Sequence, residues 1–313
     1  MPLAFPTEVT VVEMLPRDGL QRLDRFVPTE EKIRIIDALS QTGVSEIEVT
    51  SFTHPTAVPN LRDAAAVTAG ITRQPGVTYR ALVPNVIGLE RAIEADIEKV
   101  NALITASEEY NRRNQNMTIE ENLDEIIEVI ERGHEAGLVV EAGIGMAFFS
   151  PYEGRTPPER TLAIVESVVD AGVDEVTLAT SMGMANPKQV AGLVESVFTR
   201  WPDVDLGMHL HDTNGMSLAN TVVAMQLGVE RFDASVCGLG GGVILPKSME
   251  DIGNTPTEDL VYMLSEMGIE TGVDFEELTS VAADVMDSLD VRPNSHVLKG
   301  GTREQVLRET SES

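Results

Sequence analysis

Eight times along the chain a short β-rich run is followed by a longer amphipathic segment, and no other feature constrains the fold as much. Strand-like runs stand at 8–14, 45–50, 78–83, 99–105, 139–146, 175–179, 205–209 and 231–236. The helical stretches that come after them start near Thr29, Pro59, Val86, Ile119, Pro158, Pro187, Ser217 and Thr257, several of them residue types that suit a first turn. Gly43, Gly137, Gly172, Gly228 and Gly268 stand where those helices should end. Repeated strand–helix units build a parallel sheet, because parallel neighbours need a long crossover. Eight such units with no proline-rich or serine-rich linker predict one closed (β/α)8 TIM barrel over 1–274. An open doubly wound sheet would show fewer strands and a glycine-rich turn after the first. Here Met14-Leu15-Pro16-Arg17-Asp18-Gly19 occupies that place. A further helix, 275–288, predicts a C-terminal helical extension and tail over 275–313.

Composition narrows the possible partners. With 23 Lys plus Arg against 51 Asp plus Glu, the formal charge is −28, so nucleic acid and anionic membranes would be repelled. Apolar residues make up 42% of the chain, enough for a large core and too many for a disordered acidic segment. The single cysteine, Cys237, excludes an intramolecular disulfide and a thiolate-rich metal site, and its expected role is packing. No run reaches the roughly 20 apolar residues of a membrane span, and no basic leader opens the chain. The expected location is cytoplasmic.

In a barrel of this kind, chemistry belongs at the carboxyl ends of the strands. Polar residues gather there: Arg17, Asp18 and Gln21 after strand one, Glu48, Thr50 and Ser51 ending strand two, Ser107 and Glu108 after strand four, and His209-Leu210-His211-Asp212 ending strand seven. Two histidines two apart on a strand face the same side. Asp18 and Asn254, from the loops after strands one and eight, adjoin strand seven once the barrel closes. His54 is expected at the same face. Two imidazoles, a carboxylate and an amide oxygen without sulfur form a shell for Mg²⁺ or Mn²⁺ rather than for structural zinc.

Seven colinear motifs then carry a resemblance. Pro16-Arg17-Asp18-Gly19-Leu20-Gln21, Glu48-Val49-Thr50-Ser51-Phe52, Ser107-Glu108, Pro151-Tyr152-Glu153-Gly154, His209-Leu210-His211-Asp212-Thr213, Gly238-Leu239-Gly240-Gly241 and Gly253-Asn254 with Thr257 to Leu264 resemble 3-hydroxy-3-methylglutaryl-CoA lyase, from about residue 8 to 290. Leu20, where the related synthases usually have glutamate, favours the lyase branch. The resemblance implies divalent-metal-dependent cleavage of a 3-hydroxyacyl-CoA to acetyl-CoA and a keto acid or ketone. It implies metal ligands Asp18, His209, His211 and Asn254, with Arg17 facing the developing enolate. Glu48, with Asp18, would orient or accept protons, and His209 belongs to the same catalytic set. Arg112 and Arg113 would meet the CoA phosphates, and the assembly would be a homodimer.

The chain also departs from that family. Gly242 stands where the family carries a cysteine after Gly-Leu-Gly-Gly, and the loop from there to Asn254 is about three residues longer than the family's. Thr180-Ser181 stands where the lyases have Asp-Thr. Three functions are therefore compatible with the sequence. One is a lyase for a 3-hydroxyacyl-CoA with a bulkier apolar substituent, met by Val243, Ile244 and Leu245. Another is a lyase for 3-hydroxy-3-methylglutaryl-CoA with a different proton donor, or an aldolase acting on a free hydroxy or keto acid. The third is a non-catalytic metal-binding barrel. Only five basic residues are lysines (Lys32, Lys99, Lys188, Lys247 and Lys299), and so acidic a chain fits a high-salt cytoplasm.

Overall fold

The computed structural model describes residues 4–242 and 253–311. Eight parallel strands form a closed barrel: β1 Thr10–Glu13, β2 Glu46–Ser51, β3 Thr78–Val83, β4 Lys99–Thr105, β5 Val139–Gly145, β6 Glu175–Ala179, β7 Asp205–His209 and β8 Arg231–Ala234. Each strand pairs with its neighbours in sequence, and β1 closes on β8 with Thr10 opposite Arg231 and Glu13 opposite Ala234. These are the eight strands expected from the sequence, with ends displaced by no more than two residues.

The strands alternate, apart from a shift of register in β2 between Glu48 and Thr50. Val11, Ile47, Val100, Val140, Val176 and Phe232 face outward into one continuous apolar core under the helices. Many of the inward positions between them are charged, and Glu46, Glu48, Arg80, Lys99, Glu141, Glu175, Arg231 and Asp233 make a buried ionic lattice inside the barrel instead of the usual layers of branched apolar side chains. Arg80, wholly buried on β3, reaches Glu46, Glu141 and Asp233 at 3.1, 2.7 and 3.1 Å and lies 2.8 Å from Glu48. Lys99 joins Glu46 and Glu175 at 2.9 and 2.5 Å, and Arg231 joins Glu141 and Glu175 at 2.7 and 3.1 Å. Gly207 on β7 makes room for this lattice, since a Cβ there would lie 2.9 Å from the Arg231 guanidinium carbon.

Several elements were not expected. The segment after β4 holds two helices, Glu108–Gln115 and Ile119–Glu135. Ser107 caps the first, Asn116 ends it in a left-handed conformation, and a Thr118–Glu121 capping box starts the second. Pro59–Leu61 is a 3-10 turn before helix Ala64–Gly70, and a small hairpin joins Phe149–Ser150 to Gly154–Arg155. The C-terminal helix expected at 275–288 is present as Phe275–Leu289 and buries Leu278, Val281, Ala282, Val285 and Leu289 in the barrel's own core, and His296–Gly300 and Arg303–Ser311 come after it. No helix among the described residues is long and apolar enough to cross a membrane.

Burial sharpens the surface charge. Lys32 is buried against Asp63 at 2.6 Å and Lys99 lies inside the barrel, so Lys188 and Lys299 are the exposed lysines among the described residues. Repulsion among surface carboxylates should therefore be relieved by salt, with the melting temperature rising by on the order of 5 °C between 0.1 and 2 M KCl. A flat or falling melting curve across that range would contradict this.

Candidate active site

Directly after β1 the chain makes a π-helical turn, Leu15–Gly19, in which the Met14 carbonyl accepts from the amides of Arg17, Asp18 and Gly19 at 3.2, 2.8 and 3.2 Å. The turn holds the side chains of Arg17 and Asp18 at the barrel mouth, both nearly buried. Asp18 Oδ1 accepts from Arg17 Nη1 at 2.5 Å and Gln21 Nε2 at 2.6 Å. Its Oδ2 accepts from the Gly241 amide at 2.9 Å and Asn254 Nδ2 at 2.8 Å. Gly240 permits that approach: a Cβ there would lie 2.2 Å from Asn254 Nδ2 and 2.6 Å from Asp18 Oδ2.

His209 ends β7, and His211 lies just beyond it on an extended segment that bridges to Asn254. Their Nε2 atoms face each other at 3.0 Å. Ligand atoms of Asp18, His209 and His211 all lie within 4.8 Å of one another. His209 Nδ1 is 2.9 Å from Asp233 Oδ2, and the His211 amide donates to Thr180 Oγ1 at 2.8 Å. Buried Asn254 Oδ1 has no hydrogen-bond partner among the described residues. Facing ring nitrogens, a nearby carboxylate and a buried amide oxygen are donors that could hold a divalent metal ion.

The electrostatics agree. Burial and the neighbouring His209 ring push the His211 pKa down to about 3, which leaves a neutral imidazole. Burial opposes ionisation of Asp18, but Arg17 and the two histidines hold its carboxyl well below the usual range. His209 is raised against the pull of burial by Asp233 and Asp18. In the barrel interior, Arg17, Arg80, Lys99 and Arg231 face Asp18, Glu46, Glu48, Glu141, Glu175 and Asp233.

Arg17, Asp18, His209, His211 and Asp233 share the lining of a cavity of about 360 Å³ at the barrel mouth. Glu48 lies behind it, wholly buried, with its oxygens toward Arg17, Arg80 and Asn101. Both oxygens are thus held by cationic or amide donors, a geometry that suits orienting Arg17 better than taking a proton. Arg113 lines the mouth with its guanidinium 4.5 Å from the Tyr152 ring centroid and paired with Glu109 at 2.6 Å, while Arg112 pairs with Glu108 at 2.8 Å and is not among the residues that line the cavity. His54 is exposed, hydrogen-bonded to Thr56, and outside the histidine–aspartate cluster. Gly242 lines the cavity, whereas Val243, Ile244 and Leu245 lie outside the described residues. Cys237 is fully buried past the end of β8 with Sγ 3.8 Å from the Ala282 carbonyl, and burial raises its thiol far above the ordinary range.

The sequence reading missed Asp233, whose signal was its place beside His209 in the β7–β8 register. It also passed over two buried acids, Glu13 and Glu258. Glu13 accepts from the amides of Leu15 and Val236 at 2.8 and 3.0 Å and from Thr257 Oγ1 at 2.6 Å, which fastens the π-helical turn to the loop after β8. Glu258 accepts from the Cys237 amide at 2.8 Å. Burial raises Glu13 to about 7 and Glu258 to about 8, from 4.5 for each. Between those values the folded state binds more protons than the unfolded chain, so their contribution is greatest at low pH and falls as pH rises to about 8. Urea denaturation should show stability dropping by a few kcal/mol from pH 5 to 8. Glu258→Gln should flatten that drop, and an unchanged slope would count against the assignment.

Comparison with known proteins places this geometry. The HMGL-like family model matches residues 8–285. The hydroxymethylglutaryl-CoA lyase YngG of Bacillus subtilis is 43% identical over 280 residues, 90% of this chain and 93% of that protein. The mitochondrial hydroxymethylglutaryl-CoA lyase of Gallus gallus is 40% identical over 300 residues, 96% of this chain and all of that one. Among solved structures, the Bacillus subtilis HMG-CoA lyase superposes with a TM-score of 0.91 at 42% identity, covering 96% of this chain and 99% of that one. An HMG-CoA lyase from Acinetobacter baumannii in complex with coenzyme A and 3-methylmalate gives 0.90 at 36% identity, covering 96% and 97%. With its barrel, its motif order and most of its length shared in this way, the chain belongs to the HMGL-like family.

Proposed function

We propose that this protein is a divalent-metal-dependent carbon–carbon lyase that cleaves a 3-hydroxyacyl-CoA of the 3-hydroxy-3-methylglutaryl-CoA type to acetyl-CoA and a keto acid or ketone. One observation carries the reading: Asp18, His209 and His211 converge on a cavity that Arg17 also lines. Asp18, His209 and His211, with the unpaired Asn254 oxygen, would hold Mg²⁺ or Mn²⁺. A bound ion of this kind supplies Lewis acidity toward a substrate hydroxyl and carboxylate.

The chain's own residues do the rest. Breaking the C2–C3 bond leaves a thioester enolate, and Arg17 places a permanent cation where its oxygen charge develops. Glu48 fixes that guanidinium from behind. Asp233 holds the proton on His209 Nδ1 and so leaves the Nε2 lone pair toward the cavity. Gly242 has no side chain to deliver a proton, so the proton that completes acetyl-CoA comes from elsewhere in the cavity. Arg113 at the mouth is the better placed of the arginine pair to meet a CoA phosphate. The same reading carries a homodimer in the cytoplasm, which light scattering and fractionation test.

The decisive assay incubates the protein with Mg²⁺ or Mn²⁺ and a panel of 3-hydroxy-3-alkylglutaryl and citramalyl thioesters, and monitors acetyl-CoA by mass spectrometry. Acetyl-CoA that vanishes with EDTA supports the reading. Its absence from every thioester would leave a barrel that binds metal without catalysis.

A further inference from the structure

Opposite the metal-binding residues the cavity changes character. In the strand ring, β5 lies across from β1 and β4 across from β8, so the segments after β4 and β5 face Asp18 and the loop that carries Asn254. There Tyr110, Met146 and Met182 form a small apolar cluster separate from the main core, with Phe149 and Met184 packed against it. Tyr110 and Met146 line the cavity.

Two backbone features hold this wall in place. Met146 has φ +53° and Ser181 has φ +34°, a left-handed region that residues with side chains enter at a cost and keep only where the surroundings fix them. They brace each other: the Met146 amide donates to Ser181 Oγ at 2.9 Å, and the Met146 carbonyl accepts from Thr156 Oγ1 at 2.7 Å. The last two inward positions of β5 before this wall are Gly143 and Gly145. A Cβ would lie 2.5 Å from Asn101 Oδ1 at the first and 3.1 Å from Thr105 Cγ2 at the second, so β5 itself puts no side chain here and the floor is lined by its neighbours Asn101, Leu103 and Thr105. One cavity thus has Arg17, Asp18, His209 and His211 on its polar side and a thioether and a phenol ring in its lining on the other, and thioethers are flexible, polarizable partners for alkyl groups.

We infer that Met146, held by Met182 and Tyr110, is a specificity residue that receives an apolar C3 substituent longer than methyl on the acyl-CoA substrate. The inference rests on the lyase reading and deepens it. With a polar hydroxy-carboxylate end at Asp18, His209 and His211, an alkyl substituent on C3 would extend toward the Met146 and Tyr110 side of the same cavity, and a longer one would make more contact there.

The test measures kcat/KM on 3-hydroxy-3-methyl-, 3-ethyl- and 3-propylglutaryl-CoA with the Mg²⁺-loaded protein and its Met146→Asn variant, since asparagine tolerates positive φ and replaces the thioether with an amide. In the natural protein kcat/KM should rise by about tenfold per added methylene from methyl to propyl. In Met146→Asn the propyl-to-methyl ratio should fall at least tenfold. The natural protein's series stands even where the variant does not fold: a flat or falling series overturns this inference while leaving the lyase reading intact. A variant that loses affinity for free CoA in step with every kcat/KM would assign the wall to the pantetheine arm and overturn the inference too. Absence of acetyl-CoA from all three thioesters overturns the lyase reading together with it.

Discussion

Replacing Arg17 by glutamine is expected to lower kcat by about 10²–10³-fold while metal stays bound, the loss typical when one preorganised donor to a developing oxyanion is removed. Arg17 is 7% exposed and held by Glu48 and Asp18, so its charge acts where water does little to screen it. Glutamine can offer a hydrogen bond but no charge. The fold should tolerate the change, because Glu48 keeps Arg80 and Asn101, and Asp18 keeps Gln21, Gly241 and Asn254. Metal affinity should not weaken either, since a cation next to a metal-binding carboxylate competes with the ion. Single-turnover acetyl-CoA formation and metal content by mass spectrometry measure the two halves separately. Turnover within tenfold of the natural protein would remove Arg17 from its role at the enolate.

Asp18→Asn should have the opposite signature, with turnover lost because metal is lost. Among the described residues the aspartate is the one carboxylate in the cluster with His209 and His211, and its neighbours keep it ionised. Changing an outer hydrogen-bond partner of a metal ligand typically costs about 10–100-fold in affinity, and removing the charged ligand itself should cost more than that. Asparagine also turns an acceptor of four hydrogen bonds into a group that donates at one end, and it would meet Asn254 Nδ2, the Gly241 amide or Arg17 with a second donor. Titration with Mn²⁺ monitored by electron paramagnetic resonance reads the affinity directly. Unchanged Mn²⁺ binding in Asp18→Asn would refute the site.

Much of the active-site geometry was legible because it derives from periodicity. A strand side chain's direction is fixed by its parity, so His209 and His211 had to point the same way once β7 was recognised. Strand ends face one rim of a barrel, so Asp18 and Asn254, 236 residues apart, had to approach the same place. Arg112 and Arg113 were less legible because neighbours on a helix point about 100° apart, and only Arg113 turns inward. His54 shared the rim of the barrel with the histidine pair but not its direction. Glu48 was expected to orient or accept protons with Asp18, but its contacts with Arg17 and with Arg80 from β3 depend on how the side chains fill the interior.

The sequence by itself determined the barrel, its strand order and the ring of polar residues at its mouth, since these depend on hydrophobic period and on the short reach of each βα unit. Only the tertiary structure decided how the charges are shared. The Asp233–His209 bond, the lattice around Arg80 and the methionine wall opposite the Asp18–histidine cluster all join side chains from different βα units of the barrel. The physical reason is that a buried charge or an apolar cluster is set by whatever closes around it on every side. No periodicity along a single chain encodes that set of neighbours until the eighth strand has met the first.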